Sequence, residues 1–161
     1  NTSIVYLLSF LLPITIPLSI SYICQRSHWI LTLDNVIVFL VTIISSLLIT
    51  LVTTKSISLF SGKPFMNSKG TRFGSFPNNE TAVISTAMVM TTLLTNFVWN
   101  KAGLNRMYGT VISILPHILT TVVVIDVLTA YEADYTDVLG GLLIGGSVSY
   151  ITYAGVFRVQ E

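Results

Sequence analysis

Two stretches of this 161-residue chain hold the residues best suited to chemistry. The first reads Lys55-Ser-Ile-Ser-Leu-Phe-Ser-Gly-Lys63-Pro64 and runs on to Gly74-Ser-Phe-Pro77-Asn-Asn-Glu80-Thr-Ala82. The second is Asp134-Tyr-Thr-Asp137-Val-Leu-Gly-Gly141. Residues 55–79 carry four basic side chains, Lys55, Lys63, Lys69 and Arg72, and no acid. Gly62, Gly70 and Gly74 leave that backbone pliable enough to wrap an anion. A lipid phosphate held by these cations is therefore one reading. The simpler one is a solvated loop whose charges pair with Glu80, Glu132 and Asp134; contact with a partner subunit is the third. Asp126 reads either as a proton-path residue or as an interfacial acid facing the basic loop. Of the two histidines, His28 is expected at the membrane interface beside Trp29, and His117 as a buried, hydrogen-bonded helix residue. A single cysteine, Cys24, rules out an internal disulfide and a cysteine-based metal site, and no metal or cofactor is expected.

The elements that position these residues are set by composition. Hydrophobic residues make up 52% of the chain and charged residues 9%, with a mean hydropathy of +0.79. Soluble domains carry about 25% charged residues. A net charge of +1 without a basic run gives no reason to expect a nucleic-acid partner. Five segments, 4–23, 29–53, 82–99, 107–128 and 138–157, meet or approach the ~20 apolar residues that span a bilayer as helix. None contains Lys or Arg, and their only acids, Asp34 and Asp126, lie near an end, where the cost of insertion is smallest. They are apolar on all faces, unlike the striped helices of soluble proteins. Pro13 and Pro17 should kink the first segment, whose length also argues against a cleavable signal peptide; Pro116 should kink the fourth.

The expected fold is therefore all-α: one transmembrane domain of about five spans, with a long polar loop over residues 54–81. Lys and Arg divide four against four between the two sides, so the positive-inside rule gives only a lean toward the short-loop side as cytoplasmic or matrix-facing. Gly141 and Gly145 form a small-xxx-small pair suited to close helix packing, either internal or with a partner chain. Asn79-Glu80-Thr81 and Asn1-Thr2-Ser3 match the glycosylation sequon, a short pattern that arises often by chance.

Taken in order along these spans, the two stretches resemble the motifs of the type 2 phosphatidic acid phosphatase (PAP2) family, over roughly residues 30–157. That family's motifs read Lys-x6-Arg-Pro, Pro-Ser-Gly-His and Ser-Arg-x5-His-x3-Asp. The resemblance implies a PAP2-like bundle and a phosphate site between the loops. In the family one histidine attacks phosphorus, a second protonates the leaving alkoxide, an Asp orients the nucleophile, and cations hold the phosphoryl oxygens. Here the Arg-Pro position is Lys63-Pro64, which keeps the charge and loses the bidentate fork. The family's Lys falls on Ser56, with Lys55 adjacent. The proton-donor position is Glu80, and the Ser-Arg pair falls on Asp126 and Val127. The orienting acid survives as Asp137, but the nucleophile position is Ala133, which cannot attack phosphorus.

The resemblance thus implies the fold without its chemistry, with Ser56, Lys63, Glu80, Asp126, Ala133 and Asp137 as degenerate motif positions. The expected function is a non-catalytic, structural or accessory subunit of a membrane complex. Its expected partners are membrane lipids and other membrane subunits, with a lipid phosphate head group as candidate ligand. A mitochondrial inner-membrane assembly is one setting considered. Two rivals remain open: a divergent lipid phosphatase or phosphotransferase using Glu80 and Asp137, and a small transporter or channel component lined by Asp126, His117 and Pro116.

Overall fold

Hydrocarbon offers no water to an unpaired amide, so a chain this apolar satisfies its backbone within helices even where Ile, Val and Thr are abundant. The structure, a computed structural model, describes residues 2–24, 33–61, 79–101, 106–129 and 135–157, and all of them are helical. The elements are α1 (Thr2–Cys24), α2 (Leu33–Ser61), α3 (Asn79–Lys101), α4 (Arg106–Thr129) and α5 (Tyr135–Phe157). Four are long and apolar enough to cross a bilayer, over Val36–Phe60, Asn79–Trp99, Thr110–Thr129 and Tyr135–Val156; this is compatible with an integral membrane protein. The apolar part of α1, Ile4–Ile20, is shorter.

Three helix ends differ from the sequence expectation. α2 runs past residue 53 to Ser61, so Lys55 and Ser56 stand on its last turns and not in a loop. Nothing between Thr54 and Ser61 breaks a helix; the breakers are Gly62 and Pro64 just beyond. α3 starts at Asn79, which puts Glu80 in its first turn, and α5 starts at Tyr135, which does the same for Asp137. An acid in a first turn faces unpaired amides and the positive end of the helix dipole, which favours helix over loop there.

The helices are arranged around α3. It packs against α1, α2, α4 and α5; α2 also packs on α5, whereas α4 packs substantially on α3 alone. Accordingly 72% of the α3 span is buried, against 28%, 22% and 22% for α2, α4 and α5. Chain direction alternates. Val5, Ile84, Val127 and Val138 share one cluster, which brings together the starts of α1, α3 and α5 and the end of α4. Phe39 and Phe97 meet edge to face at 5.8 Å, joining the start of α2 to the end of α3 in a second cluster with Ile43, Met90, Leu94 and Val98.

Close approach is achieved with small side chains repeated every four residues, the spacing that forms one ridge of a helix. α1 buries Val5, Ser9, Pro13 and Pro17; α2 buries Thr42, Ser46, Thr50 and Thr54; α5 buries Asp137, Gly141, Gly145 and Ser149. The tightest point is Gly145. A Cβ placed there would lie 2.4 Å from the Ala82 carbonyl oxygen, 2.8 Å from Ser85 Cβ and 2.9 Å from the Thr86 amide nitrogen. Two of those three atoms are backbone, so only separation of α3 from α5 could make room. Gly141 is also buried, so both glycines of the small-xxx-small pair face the inside of the bundle.

Hydroxyls cross-link the same seam. Thr86 Oγ1 donates to the Ala82 carbonyl at 2.8 Å and lies 2.7 Å from Thr50 Oγ1. A hydroxyl has one proton, so with that geometry Thr50 is the donor to Thr86. Ser149 donates to the Thr86 carbonyl at 2.5 Å, and Ser85 to the Leu142 carbonyl at 3.1 Å. Thr86 therefore ties α2 and α5 to α3 at one level. Most other buried hydroxyls are satisfied within their own helix, as with Thr42 on the Val38 carbonyl and Thr91 on the Ala87 carbonyl.

Gly145→Ala should overpack the α3–α5 contact and cost at least about 1–3 kcal/mol. Gly146→Ala, where an added Cβ meets nothing within 4 Å, should be neutral or slightly stabilising through helix propensity. Unfolding of both variants in detergent micelles would check the contrast; equal effects would contradict the packing described. A Thr50→Val/Thr86→Val double-mutant cycle should show a coupling of about 0.6 kcal/mol and at most about 1.7 kcal/mol.

Candidate functional site

The polar residues singled out in the sequence gather at one end of the bundle because chain direction alternates. The end of α2 brings Thr54, Lys55 and Ser56; the start of α3 brings Asn79, Glu80 and Thr81; the start of α5 brings Asp137. Thr54 and Thr81 are fully buried, Lys55 and Ser56 are exposed, and Glu80 is half-buried. α1 reaches the same end, where Val5 packs in one cluster with Ile84 and Val138. Lys63, Lys69, Arg72 and Ala133 lie outside the described residues, as does His28. Of the four cations assigned to a phosphate, Lys55 alone is placed. It projects from the final turns of a helix that extends beyond the predicted span.

Asp137 is the enclosed acid at this end, with no exposed surface, as for Thr54 and Thr81. It opens the ridge that continues through Gly141 and Gly145, so the register that seats Gly145 against α3 also draws Asp137 inward. It is engaged by a neighbouring group. At the same end, at the start of α3, the Asn79 Oδ1 atom is buried and has no hydrogen-bond partner among the described residues. Asp126 is placed differently. It is exposed near the end of α4, and its carbonyl accepts from Thr129 at 3.1 Å. The structure thus brings Glu80 and Asp137 to one end of the interior and leaves Asp126 on an outer surface.

His117 departs from expectation. It is hydrogen-bonded, with Nε2 3.3 Å from Thr92 Oγ1 of α3, but it is exposed and not buried. The cause is the narrow footing of α4. That helix turns Ser113, Pro116, Val123 and Val127 inward, and the residue after Pro116 falls on the flank of this contact. Pro116 removes an amide and so disturbs the carbonyls one turn earlier. Thr92 also lies 3.3 Å from the Ser113 carbonyl, where its hydroxyl can supply a donor to the turn before the proline.

Several of these interior residues went unnoticed in the sequence: the Thr42, Ser46, Thr50 and Thr54 ridge, Ser149, and Thr92. A signal was available for the ridge, because hydroxyls at four positions spaced four residues apart are unusual in an apolar span. Among the described residues, no group of three or more His, Cys, Asp or Glu side chains comes together. The chemistry offered by the described part of this end is one enclosed acid, one partly buried acid and an exposed lysine.

Removing the enclosed acid should be costly. Asp137→Ala should destabilise the protein by about 1–3 kcal/mol, because it removes the interaction this fully buried acid makes. Asp126→Ala, on the exposed side of α4, should change stability by no more than about 0.5 kcal/mol. Denaturation in detergent micelles would separate the two, and equal responses would argue against a structural role for Asp137.

Comparison of the chain with protein-family models, with curated proteins and with solved structures finds no match in any of the three.

Proposed function

We propose that this protein is a non-catalytic membrane subunit with a PAP2-like helical bundle, acting as a structural or accessory part of a larger membrane complex. The observation that carries the reading is the state of Asp137. It is fully enclosed at the start of α5, on the packing ridge, while the position four residues earlier that would need a nucleophile is Ala133. An acid seated in the contact between helices, with alanine and not histidine four residues before it, fits a structural role. Fold alone does not bring an activity with it. The exposed Lys55 at the same end supports a secondary role in clasping a lipid phosphate together with Lys63, Lys69 and Arg72.

The same geometry weighs against a transporter within a single chain. Asp126 and His117 both face outward from α4, and in the helix with the greatest burial, α3, Thr86, Thr91 and Thr92 donate to carbonyls of their own helix. A partner in the membrane gives a use to a chain whose described surface is mostly the outsides of its helices. A mitochondrial inner-membrane assembly is the setting proposed.

In mild detergent, the protein extracted from its native membrane should migrate within a large assembly; a stable, monodisperse monomer would overturn the subunit reading. The purified chain should release no phosphate from phosphatidic acid or a lipid diphosphate. Release that is abolished by Asp137→Ala would establish the enzymatic alternative instead. Vesicles containing phosphatidic acid should bind the protein more tightly than phosphatidylcholine vesicles. Neutralising Lys55, Lys63, Lys69 and Arg72 together should remove that difference.

A further inference from the structure

α4 packs substantially on α3 alone, and one polar side chain stands out on its open side. His117 lies seven residues inside the Thr110 end of the span, about 10 Å in at 1.5 Å per residue. It is exposed there, and Nδ1 has no hydrogen-bond partner among the described residues. Hydrocarbon cannot supply one, and an unsatisfied polar group at that depth costs several kcal/mol. Thr110, Ile114, His117 and Thr121 recur at steps of four, three and four, so they form one exposed stripe down the helix. Ile118 and Ile125 flank it, also exposed.

We infer that this stripe is the contact between two copies of the chain, with the two His117 side chains hydrogen-bonded to each other across a two-fold axis along the membrane normal. Two copies inserted in the same sense bring identical residues to the same depth. The contact therefore needs a side chain complementary to itself. A neutral imidazole is one, since it carries one N–H and one bare nitrogen.

The surroundings of His117 support both of the tautomers such a pair requires. Thr92 Oγ1 has three acceptors within reach: the Met88 carbonyl at 3.0 Å, the Ser113 carbonyl at 3.3 Å and His117 Nε2 at 3.3 Å. In one copy Thr92 donates to Nε2, and the imidazole proton sits on Nδ1, pointing out as a donor. In the other, Nε2–H donates to Thr92, whose own proton goes to the Met88 carbonyl, and Nδ1 is left bare as an acceptor. One rotation of the Thr92 hydroxyl separates the two states, and each leaves every proton with an acceptor. The flanking Ile114, Ile118 and Ile125 supply the apolar contact around this bond.

This inference stands apart from the accessory-subunit reading, because it concerns the purified chain alone. The experiment uses Cys24→Ser protein in phosphatidylcholine vesicles, with single cysteines introduced by Ile114→Cys, Ile118→Cys and Ile125→Cys. Controls are Leu48→Cys on α2 and Leu143→Cys on α5, both exposed. Oxidation should give disulfide-linked dimers at the first three positions and not at the controls. Energy transfer between labelled chains, followed as lipid is added, should show association weakened about 3- to 20-fold by His117→Leu. His117→Asn, whose amide is also self-complementary, should retain the dimer. Cross-linking equal at all five positions, a monomer at every lipid dilution, or a dimer indifferent to His117→Leu would each overturn the inference. Helix content measured on each variant keeps loss of fold distinct from loss of contact.

Discussion

The backbone-level contact between Gly145 of α5 and residues 82–86 of α3 is the constraint on which the rest of this bundle depends. It leaves no room for even one methyl group, so the relative depth and rotation of α3 and α5 have little freedom. Once they are set, Ser149 reaches the Thr86 carbonyl and Ser85 reaches the Leu142 carbonyl. Asp137, two turns before Gly145 on the same ridge, is then drawn fully inside. Thr50 of α2 adds to the same level by donating to Thr86. Three of the five helices are thus registered over little more than one turn of α3, and the remaining contacts fill in above and below.

The seam also shows why α3 can be central without being purely aliphatic. Between helices that both sit in hydrocarbon, burial of apolar surface provides little net drive, and association relies on close packing and interhelical hydrogen bonds. Thr and Ser meet both needs. Their side chains are short enough for close approach, and a hydroxyl can return its proton to a carbonyl of its own helix when no neighbour is available. Thr91 and Thr92 do this on α3, as Ser9 does on α1. Interior positions can then be polar without a water-filled path. The outward faces are instead carried by Ile, Leu and Val, such as Leu48, Val52, Leu143 and Ile151.

The parts of this architecture that were legible in the sequence are those governed by transfer to lipid. The helical segments and the exclusion of Lys and Arg from the predicted spans follow from polarity alone, and Gly141 and Gly145 were visible as a packing pair. Helix ends were less legible, for a specific reason. Polarity marks where a chain leaves the bilayer, whereas a helix stops where the backbone is broken. α2 carries Lys55 and Ser56 onward to Ser61 because Gly62 and Pro64 come only after it. The environment of His117 was not legible either. Whether a residue beside a buried proline is covered depends on how many neighbours a helix has, and α4 leans chiefly on one.

The end of the bundle holding Asp137 illustrates how a motif position and a packing position can coincide. The Thr136-Asp137-Val-Leu-Gly-Gly141 run reads as a site when its residue types are compared with a phosphatase motif. In three dimensions the same run is the first turn and a half of α5, entering the ridge that seats Gly145. An acid favoured by the helix dipole at a first turn, followed by small residues at four-residue steps, is accounted for by helix stability and packing together, without a catalytic role. Its likeness to a motif therefore carries less functional weight than the same residues would on an open loop. What distinguishes the two roles is the group that Asp137 would have to serve, and at position 133 that group is an alanine.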